Sequence, residues 1–468
     1  MMFKLVILWT DALIYLLLAV VVLFAFKIRG KEHLLAPWRR VAQSRSGMAA
    51  LVILSAYLVI GLLDSVHFRP ILQNQNGEAG QYYSTEVLSL LDVLAKPLKE
   101  RVEKTYSAPF ATQLYAKETF VQPDGGQVRD YPRLKYGGAH LKDAENDFAE
   151  DILQTGFISL IKGVVVWTVM SYALIRWLSR RRNILPGNVW RLIRSGEDEI
   201  PWVTVLVAFG VIVLLGFTAS DLSVKYHIFG TDKVGLDVFY QSLKSIRTGL
   251  VIGMLTTLVM LPFALLLGIM AGYFRGWVDD VIQYVYTTLS SIPGVLLIAA
   301  SVLILQGYID RNPDLFDTVA ARADLRLLFL CIILGITSWT GLCRLLRGET
   351  LKLCEMDYIQ AATAFGVGHW RIITRHILPN VMHIIMITVV MDFSGLVLAE
   401  AVLSYVGVGV DPTMQSWGNM INGARLEMAR EPMVWWQLSS AFVLMFVLVL
   451  SANLFSDSVQ EAFDPRRK

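Results

Sequence analysis

Cysteine is nearly absent from this chain: Cys331, Cys343 and Cys354 are the only three in 468 residues, with no CxxC pair and no histidine cluster beside them. That removes the basis for a disulfide framework, a redox dithiol or a zinc site, and leaves the three as packing residues or free thiols. Charge is scarce too. Asp, Glu, Lys and Arg make up 17% of the chain against 55% hydrophobic residues, and the mean hydropathy of +0.52 is too high for a soluble globule. A net charge of +3 gives no reason to expect nucleic acid as a partner. Motifs of catalysis are also missing. There is no GxxxxGK[ST] phosphate loop, no HExxH, no GxSxG and no Cys–His constellation, so no enzyme, metal or cofactor is expected, and any ATP energy has to be borrowed.

What the chain has in abundance is long apolar runs. Nine are long enough to be spans, at about 5–26, 47–63, 156–175, 202–219, 248–273, 281–305, 327–343, 381–403 and 434–455. The expected fold is therefore an all-α polytopic membrane protein of about nine transmembrane helices. The first run is followed by Lys27, Arg29 and Lys31 rather than a small-residue cleavage site, so it reads as an uncleaved span with the N-terminus outside. Lys and Arg concentrate in residues 27–47 and 176–200, which assigns both to the cytoplasm. Alternation across nine spans then puts residues 355–379 and the C-terminus on the cytoplasmic side, and residues 64–155 outside.

Those outer residues are expected to form a small α+β subdomain with an acidic bias. Val87, Leu91, Leu94 and Leu98 fall near one helical face, interrupted by Pro97, and two short strands flank Pro123-Asp124-Gly125-Gly126. The subdomain reads as an insertion that braces the bundle, with a docking surface for a soluble protein as the other reading. Residues 36–45 and 178–194 interleave Trp38 and Trp190 with arginines and suit helices lying among lipid headgroups. The chain divides into two N-terminal spans (1–63), the insertion (64–155), two further spans (156–220) and a C-terminal half (221–468).

In that last part, residues 355–380, EMDYIQAATAFGVGHWRIITRHILPN, form a polar and basic helix–turn–helix between two spans. Ile359, Ala362 and Phe365 share a side at helical spacing. Gly366 and Gly368 permit a tight elbow, and Pro379 is expected to end the second short helix. This resembles the signature loop of importer-type ABC permeases in Gln360-Ala361-Ala362, Gly366 and Leu378-Pro379, with His376 where the general pattern has Ile. RHILPN resembles the dipeptide/oligopeptide (DppC/OppC) branch. The resemblance runs on through Gly230, Thr231, Asp232, Gly235 and Asp237, through AGYFRGWVDD and SSIPGVLL, through the Pro412 to Trp417-Gly418 segment, and through Asp464-Pro465-Arg466. Leu236 stands where the family usually has Arg.

The resemblance implies a permease subunit in a bacterial inner membrane, working with a second permease subunit, two ABC ATPase subunits and an extracytoplasmic solute-binding protein. It implies that Gln360, Ala361, Ala362, Phe365, Gly366, His369, Leu378 and Pro379 seat in an ATPase groove. The residues themselves add candidates for the pathway. Pro293 should bend the sixth span, with Ser290 and Ser291 near the freed carbonyl. Asp392 and Glu400 share a face of the eighth span roughly 12 Å apart, where an ionisable group is costly unless it fronts protein or water. A structural or gating role suits Glu400 better than solute contact. Asp232 and Asp237 suit a capped turn. Arg344 and Arg347 are expected to meet headgroups, Glu349 or Glu355, or the ATPase. A secondary transporter or channel using Asp392 and Glu400 as a proton relay is the alternative, and a receptor-like scaffold built on the insertion is a third reading.

Overall fold

The computed structural model describes residues 3–28, 32–71, 83–121, 127–143, 146–196, 198–312 and 318–463. In chain order its elements are β1 (Phe3–Val6), α1 (Trp9–Ile28), α2 (Glu32–Gln43), α3 (Arg45–Ser65), β2 (His67–Pro70), β3 (Leu88–Ser89), α4 (Leu90–Leu94) and α5 (Lys96–Glu100). Next come β4 (Glu118–Val121), β5 (Gln127–Asp130), α6 (Phe148–Arg182), α7 (Pro186–Ser195), α8 (Trp202–Lys225), α9 (Val238–Phe274), α10 (Gly276–Ser291) and α11 (Gly294–Arg311). The chain closes with α12 (Val319–Cys354), α13 (Asp357–Ala364), α14 (His369–Ile372), a π-helical turn (Ile373–Ile377), α15 (Leu378–Tyr405), α16 (Trp417–Glu427) and α17 (Trp436–Phe463). It is an all-α polytopic membrane protein with a small α+β insertion, and seven helices among the described residues are long and apolar enough to cross a bilayer.

Two expected spans differ in outline. The first starts at Trp9, because residues 3–6 pair antiparallel with β2, Phe3 opposite Pro70 and Val6 opposite His67. A short apolar run fits a strand or a helix equally well, and its partner lies some sixty residues away. The sixth span does not bend but breaks. Ile292 is extended (φ −86°, ψ 129°) and Pro293 caps a new helix, so α10 and α11 are separate elements, with the Ser291 hydroxyl donating to the Thr288 carbonyl at 2.7 Å.

The centre of the bundle is α9, packed along much of its length against α12 and flanked by α3, α15 and α17. Small residues set how closely α9 and α12 approach: a Cβ at Gly268 would stand 2.9 Å from the Cys343 carbonyl oxygen, and one at Gly272 2.8 Å from that of Arg347. Cys331 and Cys343 are wholly buried in these packed faces. The α6–α8 hairpin lies to one side, held by Gly210 against Trp167, whose Nε1 donates to the Leu206 carbonyl at 2.9 Å.

Of the two stretches expected at headgroup level, one is a free-standing amphipathic helix and one is not. α2 buries Val41 against Val459 and Ala462 of α17, and Trp38 meets Phe463 edge-on at 5.5 Å. Residues 178–182 instead continue α6, which ends only at left-handed Asn183, leaving α7 as the amphipathic piece. α2, the α6–α7 turn, the end of α17 and α13 all lie at one end of the bundle, the knuckle end; the insertion caps the other. In the insertion the helical stretch breaks at Ala95, with Pro97 in the first turn of α5. β4 and β5 pair antiparallel from Glu118–Asp130 to Val121–Gln127. The turn at 123–126 lies outside the described residues, as do Asp464, Pro465, Arg466 and the basic tail.

Candidate functional site

The knuckle is built from a helix that stops early. α13 spans eight residues with Ile359, 2% exposed, as its one buried side chain. Phe365 caps the helix (φ −77°, ψ 4°), and six residues on from Ile359 it has turned through about 600°, which sets it roughly 120° away from the side it was expected to share with Ile359 and Ala362. Ala362 packs at the edge of the core cluster, whereas Phe365 is 87% exposed. Gly366 holds φ +74°, a torsion that glycine adopts freely. Gly368, expected to share that freedom, has an ordinary φ of −58° and serves as the N-cap of α14. Gln360 and Ala361 are exposed, with Gln360 Nε2 donating to the Glu355 carbonyl at 3.3 Å.

Pro379 does not end a helix. It lies in the first turn of α15, which runs on from α14 through the π-helical turn as one continuous rod, His369–Tyr405. A proline removes one hydrogen bond and crowds the carbonyl four residues back; widening the preceding turn relieves both. Ile372, Ile373 and Ile377 point into the core here, and Leu378 packs beside them. Asn380 Nδ2 donates to the His376 carbonyl at 2.6 Å and to the Tyr358 hydroxyl at 3.1 Å, tying α13 to α15.

The knuckle's seat comes largely from the AGYFRGWVDD turn, whose partners across the bundle the sequence does not reveal. Tyr273, at the end of α9, shares a 2.9 Å hydrogen bond with His369 Nδ1. Arg275 and Gly276 make the α9–α10 turn in left-handed conformations, and Arg275 pairs with Glu355 at 2.5 Å. Arg347 forms a two-pronged pair with Asp279 at 2.6 and 2.7 Å. Arg344 lies over the Tyr286 ring and donates to the Ser290 hydroxyl at 3.3 Å. Both arginines thus bind the α10 side of the bundle rather than Glu349 or Glu355. Around this seat Trp370 is 69% exposed, so two aromatic side chains, Phe365 and Trp370, stand out from the knuckle with little of this chain over them.

At the other end, Gly230, Thr231, Asp232, Gly235 and Asp237 form a buried turn that starts α9. Asp232 accepts from the Val234 and Leu236 amides, both at 2.9 Å, and from Gln241 Nε2 at 2.6 Å. Asp237 Oδ1 accepts from the Tyr240 amide at 3.0 Å, the N-cap of α9, while Oδ2 contacts His227 Nδ1 at 2.7 Å. The insertion clasps this turn. Thr231 Oγ1 donates to the Thr105 carbonyl at 2.8 Å and accepts from the Ser107 amide at 2.7 Å. The Glu103 amide donates to the Gly235 carbonyl at 2.9 Å. The Glu103 carboxylate accepts from the amides of Lys135, Tyr136 and Gly137, and its Oε1 stands 3.5 Å from His227 Nε2.

Burial works against charge on both partners, yet their contacts prevail. Asp237 and Glu103 raise His227 to about 9, and His227 with the three amides lowers Glu103 to about 2.

Within α15 the two carboxyls differ. Glu400 is 2% exposed and accepts from Ser404 Oγ at 2.7 Å, beside Gly418 at the start of α16, where a Cβ would approach Glu400 Oε1 to 2.8 Å. Trp417, in the family-like Pro412 to Gly418 segment, is buried against Gly249 and Val397. Asp392 is half-buried and makes no hydrogen bond or ion pair among the described residues. Those residues also contain no group of three His, Cys, Asp or Glu side chains placed to hold a metal ion.

A polytopic bundle of apolar helices with a structured knuckle between two of them is an architecture that suits a membrane transport subunit. Residues 264–468 match the family described as binding-protein-dependent transport system inner membrane component. The chain is 34% identical over 242 residues to the glutathione transport system permease protein GsiD of Pectobacterium atrosepticum, covering 52% of this chain and 73% of that one. It is 26% identical over 292 residues to the dipeptide transport system permease protein DppC of Bacillus subtilis, covering 60% and 85%. With the oligopeptide transport system permease protein OppC of Mycobacterium tuberculosis it shares 30% over 239 residues, covering 51% and 76%. The chain belongs to this family of inner-membrane permease subunits.

Proposed function

We propose that this chain is a transmembrane permease subunit of an ATP-driven importer for peptides or peptide-like solutes, and that its knuckle converts ATPase motion into alternating access. The names of the relatives, permeases for glutathione, dipeptides and oligopeptides, support the solute class. The observation that carries the coupling role is the pair of outward aromatics, Phe365 and Trp370, on a small folded unit whose base is anchored by Ile359, His369 and Arg275. Exposed aromatics on a rigid base are what an interface anchor requires. Gln360, Ala361, Ala362 and Gly366 would border the contact, with Leu378 and Pro379 leading the motion into α15. The partners in this reading are a second permease subunit, two ABC ATPase subunits and an extracytoplasmic solute-binding protein.

Basic residues concentrated at the knuckle end support a cytoplasmic position for that end and for the C-terminus, with the N-terminus and the insertion outside. The division at 63, 155 and 220 is part of the same proposal: an extended N-terminal half braces a permease core at 221–468. The break at Pro293 is a candidate hinge. A proton relay through Asp392 and Glu400 has less support, because Glu400 is engaged by Ser404.

Affinity purification of the assembled transporter in mild detergent tests the coupling role. Phe365→Asp is expected to lose at least about 90% of the co-purifying ATPase while retaining the second permease subunit. Full ATPase recovery with this variant would refute the role given to the knuckle.

A further inference from the structure

Asp392 lies fourteen residues into the twenty-eight of α15, so about 21 Å from its start and near mid-bilayer depth. Several other charged groups in or at the ends of this bundle are answered within the chain. Arg247 meets Asp11 at 2.6 Å, Lys244 lies 2.9 Å from Asp64 and 2.7 Å from Asp92, Arg347 is paired with Asp279, and Glu400 accepts from Ser404. Asp392, set beside these, has no partner among the described residues.

Its surroundings limit what it faces. Met391, Leu398 and Val402 are 50%, 43% and 54% exposed, and with exposed Gly395 they form a helical stripe that this chain leaves uncovered. Asp392 sits at the edge of that stripe, one turn from Gly395, where a Cβ would meet nothing within 4 Å. A carboxyl at this depth is not tolerated against lipid tails; it fronts protein or a wet path. The helix that bears it is continuous with the knuckle, since His369–Tyr405 form one rod. Any displacement of the knuckle therefore moves this carboxyl, as a contact serving a changing pathway must be moved.

We propose that Asp392 is a pathway subsite that receives the cationic group of the solute, the terminal ammonium of a peptide. The proposal rests on the peptide-import reading above and deepens it. The bare surface at Gly395 leaves room for the solute beside the carboxyl, and an ammonium held there makes a charge-assisted hydrogen bond.

The test uses the complete transporter with its binding protein in proteoliposomes, comparing uptake of a dipeptide with that of its N-acetylated form. Asp392→Asn is expected to lower kcat/KM for the free-amine peptide at least tenfold and for the acetylated one less than twofold, with Asp392→Glu recovering most of the loss. Gly395→Cys, which keeps the carboxyl, is expected to react with a charged, membrane-impermeant thiol reagent. Equal losses for both peptides would overturn the proposal. So would loss of the second permease subunit from purified Asp392→Asn, which would make the carboxyl a subunit contact, or a Gly395→Cys that reacts only with lipid-soluble reagents. Failure of the unaltered transporter to move either peptide would remove the peptide reading and with it the ligand named here, an outcome distinguished by its appearance without any substitution.

Discussion

The two ends of α9 are held in opposite ways. At the insertion end, the turn from Gly230 to Asp237 is buried and cross-bonded to residues more than a hundred positions earlier, through Thr231, Glu103 and His227. At the knuckle end, α13 is moored by a single fully buried side chain, Ile359, by Ala362 at the edge of the core and by Tyr358 to Asn380, while the segments on either side of it are held by polar contacts among exposed groups, Arg275 with Glu355 and Tyr273 with His369. Dense burial with satisfied backbone groups makes a frame, while few buried contacts make a part that opens or shifts at little cost. The contrast assigns the insertion and the start of α9 to the frame and the knuckle to the displaceable part.

The sharpest way to break the contrast is to make the same substitution at two glycines of nearly equal torsion. Gly235 (φ +78°) and Gly366 (φ +74°) both occupy the left-handed region, but a Cβ at Gly235 would stand 1.9 Å from the Glu103 carbonyl oxygen, whereas one at Gly366 would meet nothing within 4 Å. Gly235→Ala is expected to cost upwards of about 4 kcal/mol, since the backbones must separate. Gly366→Ala should cost about 1 kcal/mol, the conformational term alone. Thermal unfolding of the two purified variants measures the difference, and equal melting temperatures would erase the distinction between frame and knuckle.

A smaller effect follows from pH. His227 titrates at about 9 when folded against 6.5 ordinarily, so its contribution is complete below about pH 6.5 and is lost as pH rises through 9. Glu103 titrates at about 2 against 4.5, so its contribution is complete above about pH 4.5 and is lost as pH falls through 2. The clasp is therefore strongest between roughly pH 4.5 and 6.5, and both losses fall at the insertion end. Hydrogen exchange of the 103–107 and 227–237 backbone should accelerate between pH 7 and 9 beyond the intrinsic rate. His227→Gln should abolish that excess; an unchanged excess would show that this imidazole is not the titrating link.

How far these ends were legible beforehand depends on how local each demand is. Long apolar runs marked most of the helices, because a bilayer-length stretch is a property of contiguous residues. The elbow at Gly366 was legible for the same reason. What failed were boundaries set from outside, β1 through its partner at 67–70 and the continuation past Pro379 through a widened turn, and a side shared by Ile359 and Phe365 that six residues of helix do not close. The seat of the knuckle was out of reach. Arg275–Glu355, Arg347–Asp279 and Tyr273–His369 join residues 80, 68 and 96 positions apart, and nothing in either member of a pair announces the other. At the insertion end, Asp232 and Asp237 stood out as turn-capping residues, whereas Glu103 and His227 did not, because their roles exist only once the insertion folds over the turn.

The smallest expected effect is at the knuckle's own ion pair. Arg275 and Glu355 have side chains 48% and 63% exposed, so water and salt screen their attraction despite the short contact. Arg275→Gln should change global stability by no more than about 0.5 kcal/mol. The left-handed torsion at position 275 is unaltered by exchanging one side chain for another, and the amide of Gln still reaches toward Glu355, so neither backbone strain nor an orphaned buried charge enters. What the substitution alters is how firmly the α12–α13 junction is held to the α9–α10 turn. Coupling should therefore respond where stability does not: ATP hydrolysed per solute imported is expected to rise about two- to threefold as the knuckle moves with less of the force reaching α15. A stability loss comparable to that of Gly235→Ala, with the hydrolysis ratio unchanged, would make the knuckle a second frame and leave the motion to be sought elsewhere in the bundle.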